Sequence, residues 1–199
     1  IEDRKQFGQL LKDKKLNGYG VELGVAMGNF SNHILNTSSL KVLFSIDRWN
    51  DHHTYQEYVI AASILSQHRE RSVILKMPFE EAVHLFKDEL FDFIYIDGYA
   101  HTGQDDGRTL NEWWPKVKKG GIFAGHDYSI KSWPKTVEQV DKFAASNNIK
   151  LEFTKENFVE DSENSVVMIR IPNRESEVAN SETTNKKNNT RKKSNVLVL

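Results

Sequence analysis

Residues 21–30 read Val21-Glu22-Leu23-Gly24-Val25-Ala26-Met27-Gly28-Asn29-Phe30. A β-prone run, Tyr19–Val25, enters a turn with two glycines, and a helix-compatible stretch follows from Asn29 to Leu35. Glycines at a strand-to-helix turn allow a left-handed backbone and close approach of the main chain to a ligand. The spacing is G-x-x-x-G, unlike the G-x-G-x-x-G of dinucleotide sites, and the Gly-Lys-Ser/Thr of phosphate loops is missing. Glu22 is an acid inside an apolar strand, where acids are rarely buried unpaired. It suits a cationic or hydroxyl-bearing ligand better than a pyrophosphate. Asp47 ends the next β-prone run (FSIDRW), 23 residues after Gly24, the separation at which an acid can reach a ribose hydroxyl pair.

Outward from this turn, strand and helix alternate. Lys41–Ile46, Ser72–Lys76, Phe91–Ile96 and Gly121–Ala124 read as strands. Helical stretches are expected at 54–69, 80–86, 109–117 and 133–145, with Pro134 suited to a first turn. Two strands, Lys150–Thr154 and Ser165–Ile171, then follow without a helix between them. Such a series specifies an α/β domain: a seven-stranded, mostly parallel sheet with helices on both faces and an antiparallel edge hairpin. Ligands of open sheets lie at the carboxyl ends of the strands, which is where the unusual residues gather.

The chain has 199 residues, with 27 Lys and Arg against 28 Asp and Glu. The near-neutral balance argues against nucleic acid as a partner, and no apolar run is long enough for a membrane span. The absence of cysteine excludes disulfides, zinc–thiolate sites and thiol nucleophiles. Charge is unevenly spread. Residues 174–199 are rich in Asn, Ser, Thr, Lys and Glu, lack aromatics, and carry six basic against three acidic residues. They are expected to form a disordered polar, basic tail, leaving residues 1–173 as a mildly acidic domain.

The segments VELGVAMGNFS, SIDRW, YIDGYAHT and WWPKVKKGGIFAGHDY together resemble class I S-adenosylmethionine-dependent methyltransferases. More narrowly, they are similar to small sugar and natural-product O-methyltransferases with IDG-x-H and GG-x-x-x-x-HDY patterns. The resemblance spans about residues 15–171 and implies a Rossmann-like fold. It implies that Glu22 and the loop Gly24, Ala26, Gly28 and Asn29 hold the methionine part of S-adenosyl-L-methionine. Asp47 would hold the ribose, the segment Lys76-Met77-Pro78-Phe79 would line the adenine, and Arg48 and Asp97 would border the cofactor. This sequence departs from the pattern at IDG-Tyr99-Ala100-His101, which has one extra residue, and at Gly103, where many relatives carry Tyr.

Methylation of a sugar hydroxyl requires that the acceptor oxygen be positioned and its proton removed or acidified. Asp97 ends the fourth strand, and His126 and Asp127 end the fifth. Adjacent strands are about 4.8 Å apart, so Asp97, His126 and Asp127 could converge on Mg²⁺ or Mn²⁺. His101 is the expected base, since imidazoles titrate near neutrality, with Asp97 or Asp127 orienting it. Trp49 and Trp133 follow strand ends and could stack on a sugar ring, whereas His52 and His53 suit a solvated helix start, or else a cover over the substrate mouth. The expected activity is O-methylation of a sugar or glycan. A metal-dependent methyltransferase of catechol-like or antibiotic acceptors and a non-catalytic cofactor-binding module stay open beside it. The start at Ile1 and the polar tail suit a domain excised from a larger bacterial or viral glycan-building protein, fused to glycosyltransferase domains. Such a protein would be cytoplasmic, in the host cytoplasm if viral, and compatible with a homodimer.

Overall fold

The computed structural model describes residues 1–154 and 167–170. A 3₁₀ turn, Arg4–Gln6, leads into α1 (Phe7–Asp13), then β1 (Tyr19–Leu23), α2 (Asn29–Thr37), β2 (Val42–Asp47), α3 (Tyr55–Leu65) and β3 (Ser72–Lys76). Next come α4 (Phe79–Ala82), β4 (Phe91–Ile96), a single turn α5 (Gly103–Asp106), α6 (Arg108–Trp113), β5 (Val117–Gly125) and α7 (Pro134–Ser146). Two short strands close the described chain, β6 (Leu151–Phe153) and β7 (Val167–Arg170).

The sheet order is β3-β2-β1-β4-β5-β7-β6. The first five strands are parallel, and β7 runs antiparallel to β5 and β6. Because β1 lies between β2 and β4, the chain changes direction of winding there, and a crevice opens beyond the carboxyl ends of β1 and β4. The register sets Leu23 opposite Ile96, so Gly24 and Asp97 leave the sheet side by side.

Strand β4 explains why the centre is rigid. All six of its residues are buried; alternation separates Ile94 and Ile96 from Phe93 and Tyr95, and the register shift between Phe91 and Phe93 leaves Phe91 with the first pair. Phe91, Ile94 and Ile96 join Trp113, Phe123 and Phe143 on one face. Phe93 and Tyr95 join Phe7, Leu11, Ile34 and Leu35 on the other. Each such side chain contributes roughly 1.5–3 kcal/mol when fully buried. The exception, Asp92, is satisfied by the Gly18 amide and by Lys118 Nζ at 2.7 Å. Helix α3 begins with a reciprocal cap, in which Thr54 Oγ1 accepts from the Glu57 amide and the Glu57 carboxylate accepts from the Thr54 amide.

Several boundaries differ from the sequence expectation. Helix α1 was hidden by the strand–helix alternation, although Phe7 and Leu11 show helical spacing and both are fully buried. The α-helical part of the 54–69 stretch stops at Leu65 and continues as a 3₁₀ segment to Arg71. β5 begins at Val117 rather than Gly121; Val117 pairs with Phe91, the register then shifts, and Gly120 takes φ +81°. Among the described residues no helix is long and apolar enough to cross a membrane. The expected tail, 174–199, lies outside the described residues.

Candidate active site

Gly24 leaves β1 with φ +92°, and a Cβ there would lie 2.0 Å from the Asp97 carbonyl oxygen. Only glycine lets the β1 and β4 ends approach so closely. Gly28, at φ +81°, supplies the left-handed residue before α2, and Ala26 at φ +47° bends the loop between them. Asp47 fastens this loop from β2. Its Oδ2 accepts from the amides of Val25 (2.8 Å) and Ala26 (3.0 Å) and from His53 Nδ1 (2.9 Å), and its Oδ1 from the Trp49 amide (3.1 Å). Burial alone would raise the Asp47 pKa, but the His53 bond and the three amides outweigh it and hold the group below its ordinary value. His53 is raised, chiefly by its bond to Asp47.

Two sequence expectations change here. Trp49 is 1% exposed and donates from Nε1 to the Ala26 carbonyl at 2.8 Å, so it braces the loop and offers no face for a sugar. His53 is not a solvated helix start, because Asp47 draws it into the crevice. Trp133 is half-buried at the start of α7.

A cleft of about 190 Å³ opens between Arg4, Glu22, Gly24, Asn29, His53 and Asp97. Glu22 is 2% exposed. Ser31 Oγ donates to its carboxylate, which leaves Ser45 Oγ as the donor to Ser31, 2.6 Å away. Burial pushes the Glu22 pKa well above the carboxylate range, only partly offset by Ser31. Asp97 is raised for the same reason, with His126 opposing. Arg4, which sequence reasoning missed, reaches in from the first turn: its Nη1 donates to Asp97 Oδ2 at 3.1 Å, and its guanidinium lies 5.4 Å from the Phe30 ring centre.

A second, narrower cleft meets the first at Gly24 and His53 and is lined also by Arg48, Phe79 and Tyr99. Phe79 and Tyr99 pack with ring centres 4.6 Å apart. Met77 packs against the main core instead, its amide donating to the Asp47 carbonyl at 3.0 Å, and Pro78 caps α4. Of the segment expected to line the adenine, it is Phe79 that lines the cleft.

Beyond Asp97 the ends of β4 and β5 converge. His126 Nδ1 lies 2.8 Å from Asp127 Oδ1 and 3.4 Å from Asp97 Oδ1. One ligand atom from each of Asp97, His126 and Asp127 falls within 4.8 Å of the others. This donor set matches a divalent cation in spacing, and its two oxygens and one nitrogen suit Mn²⁺ better than Mg²⁺. His101 is not part of this group. It is exposed on a 3₁₀ turn, its ring edge-on to His52 with centres 6.2 Å apart.

The profile of a family described as "Methyltransferase domain" matches residues 21–128, from Val21 in β1 through His126, Asp127 and Tyr128. A comparison with curated proteins gives no match. Among solved structures, a Staphylococcus aureus protein assigned as a caffeoyl-CoA O-methyltransferase superimposes with a TM-score of 0.65 at 16% identity, covering 85% of each chain. A Bacillus cereus O-methyltransferase in complex with SAH gives 0.61 at 12% identity, over 84% of this chain and 80% of that one. A Streptococcus thermophilus rRNA methylase gives 0.61 at 13%, over 86% and 98%. These likenesses show the fold. The glycine turn, the acids at the ends of β1, β2 and β4, and a family match over more than half the chain agree: the protein belongs to the methyltransferase-domain family, with the class I S-adenosylmethionine-dependent fold.

Proposed function

We propose that the protein is an S-adenosylmethionine-dependent O-methyltransferase whose acceptor is a hydroxyl of a sugar or glycan. The observation that carries this reading is the convergence of Asp97, His126 and Asp127 directly beside the Glu22–Gly24 cleft. The residues present fit the cofactor. Buried Glu22 and half-buried Asp97 face a loop whose glycine admits no Cβ, and a second cleft with aromatic walls continues from it. Glu22, Asp97 and the Gly24–Asn29 loop would hold the methionine end. Arg48, Phe79 and Tyr99 would border the adenosine. Asp47 is committed to the loop amides and His53, so it would serve the ribose by holding the loop, or directly once His53 is displaced. When bound, the cofactor supplies an electrophilic methyl group on a good leaving group.

The chain's own task is to fix the acceptor oxygen and take its proton. His126 with Asp127 is suited to this: a carboxylate 2.8 Å from Nδ1 orients the ring, leaving Nε2 to accept a proton. This pair is a better base than His101, which is exposed and turned toward His52. Asp97, His126 and Asp127 would also hold a divalent ion, which there would acidify a hydroxyl. An acceptor with two adjacent hydroxyls, a catechol included, would match that arrangement.

The test is methyl transfer from labelled S-adenosylmethionine to a panel of saccharides, catechols and RNA, with and without EDTA. Label on a saccharide supports the proposal. Label confined to catechol and abolished by EDTA supports the metal-dependent alternative, and label confined to RNA contradicts both.

A further inference from the structure

Class I methyltransferase sheets position a cofactor from β1, β2 and β4. Here a residue outside the sheet enters the same cleft. Arg4 belongs to the 3₁₀ turn before α1, and three features fix it. Asp3 caps the turn by accepting from the Lys5 amide. The Lys5 carbonyl lies 2.7 Å from His33 Nε2 on α2. Phe7, three residues on, is fully buried against Phe93 and Tyr95. The side chain is 40% exposed, and it opens onto the cleft rather than onto bulk surface alone. Its ion pair with Asp97 uses Nη1, and the five N–H donors of a guanidinium exceed what Asp97 and the neighbouring Tyr95 take up.

The cleft is therefore not simply acidic. Glu22 and Asp97 line it together with Arg4, which is paired with Asp97, and with the first turn of α2; the amides of that turn lack intrahelical partners, and its N-cap, Gly28, provides no side chain to satisfy them. Asn29 and Phe30 of that turn line the cleft, and the guanidinium lies against the Phe30 ring. Two acids beside a guanidinium and an uncapped helix start complement an α-amino-acid head group, whose ammonium and carboxylate are carried on one carbon. An acid-only cleft would bind a plain amine equally well.

We propose that Arg4 binds the α-carboxylate of the cofactor's methionine end, with the first amides of α2, so that the N-terminal turn makes the site selective for an intact amino acid. This deepens the cofactor reading above and rests on it. The ion pair with Asp97 holds the guanidinium in place before the ligand arrives, which limits the side-chain entropy lost on binding.

The experiment is calorimetric titration of wild type, Arg4→Met and Arg4→Lys with two probes, S-adenosylhomocysteine and its decarboxylated analogue, with melting of each unliganded protein measured alongside. Wild type should prefer S-adenosylhomocysteine by about tenfold or more, the scale of one charge-assisted contact. Arg4→Met should lose about tenfold or more for that probe and stay within roughly threefold for the decarboxylated one. Arg4→Lys, which keeps the charge without the fork, should fall between. Equal losses for both probes, or no loss for either, would overturn the assignment while leaving the cofactor site standing. Failure of wild type to bind either probe would overturn both.

Discussion

His53 Nδ1 lies 2.9 Å from Asp47 Oδ2, and the same carboxylate oxygen accepts the amides of Val25 and Ala26. One side chain thus joins the cofactor loop to the segment before α3, and the two clefts meet at His53.

This pair gives a pH signature. His53 is raised by Asp47, so its contribution to stability is complete below the ordinary histidine value and is lost as pH climbs through the raised value. Asp47 is depressed, so its contribution is lost only as pH falls through that lowered value. The other charges facing His53 are Glu57 and Asp51, and both act in the same direction as Asp47. The unfolding free energy of His53→Ala should fall furthest below wild type at roughly pH 5–6, by about 1 kcal/mol, and the gap should close in alkaline buffer. A gap that widens with pH would contradict the assignment.

Glu22 behaves in the opposite sense to Asp47. Its pKa is raised by burial, so the folded protein loses stability as pH rises from the ordinary glutamate value to the raised one. Glu22→Gln keeps an acceptor for Ser31 and removes the buried charge. It should melt above wild type at pH 8, by about 1–3 kcal/mol, with little difference near pH 4. S-adenosylhomocysteine should bind it more weakly, since one of the two acids facing the ligand ammonium is gone.

Gly24→Ala tests the close approach of β1 and β4. With φ +92° and a Cβ placed 2.0 Å from the Asp97 carbonyl, the substitution must displace backbone. It should cost more than about 1 kcal/mol of stability and abolish cofactor binding in calorimetry.

The convergent trio separates chemistry from binding. Asp127→Asn and His126→Ala should lower turnover by about 100-fold or more while S-adenosylhomocysteine affinity stays within a few-fold. Asp97→Asn should reduce both, because Asp97 lines the cleft and anchors Arg4. Loss of cofactor affinity in Asp127→Asn would remove the distinction.

Much of this was legible in the sequence, because the relevant signals are local. Ser72–Lys76 matches β3 end to end, and the G-x-x-x-G turn with Glu22 and Asp47 marks the crevice before any coordinates. The order of the strands brings Asp97 beside His126 and Asp127, and both ends were readable as β-prone runs. What was hidden depends on distance along the chain. Arg4 is 93 residues from Asp97, and nothing in the first turn announces where it will point. His53 looked like a helix-start residue because its partner, Asp47, is a tertiary neighbour. Trp49 looked like a binding aromatic because its indole bond to the Ala26 carbonyl follows from the bend of the loop, not from spacing. Gly103 departs from the family pattern in a turn that sequence could not shape in advance: Gln104, Asp105 and Asp106 all take left-handed φ values of 52° to 57°, and Gly103 packs against the Lys135 backbone.

The central claim, that this crevice binds S-adenosylmethionine and passes its methyl group to an oxygen, is tested most directly by a single-turnover reaction. Methyl-labelled S-adenosylmethionine bound to wild type and to Asp127→Asn would be mixed with a saccharide acceptor, and label and S-adenosylhomocysteine quantified together. The account expects wild type to place label in a base-stable methyl ether, one for each S-adenosylhomocysteine formed, with Asp127→Asn binding the cofactor but forming neither product. Label recovered on nitrogen or nucleic acid, or full turnover by Asp127→Asn, would contradict it.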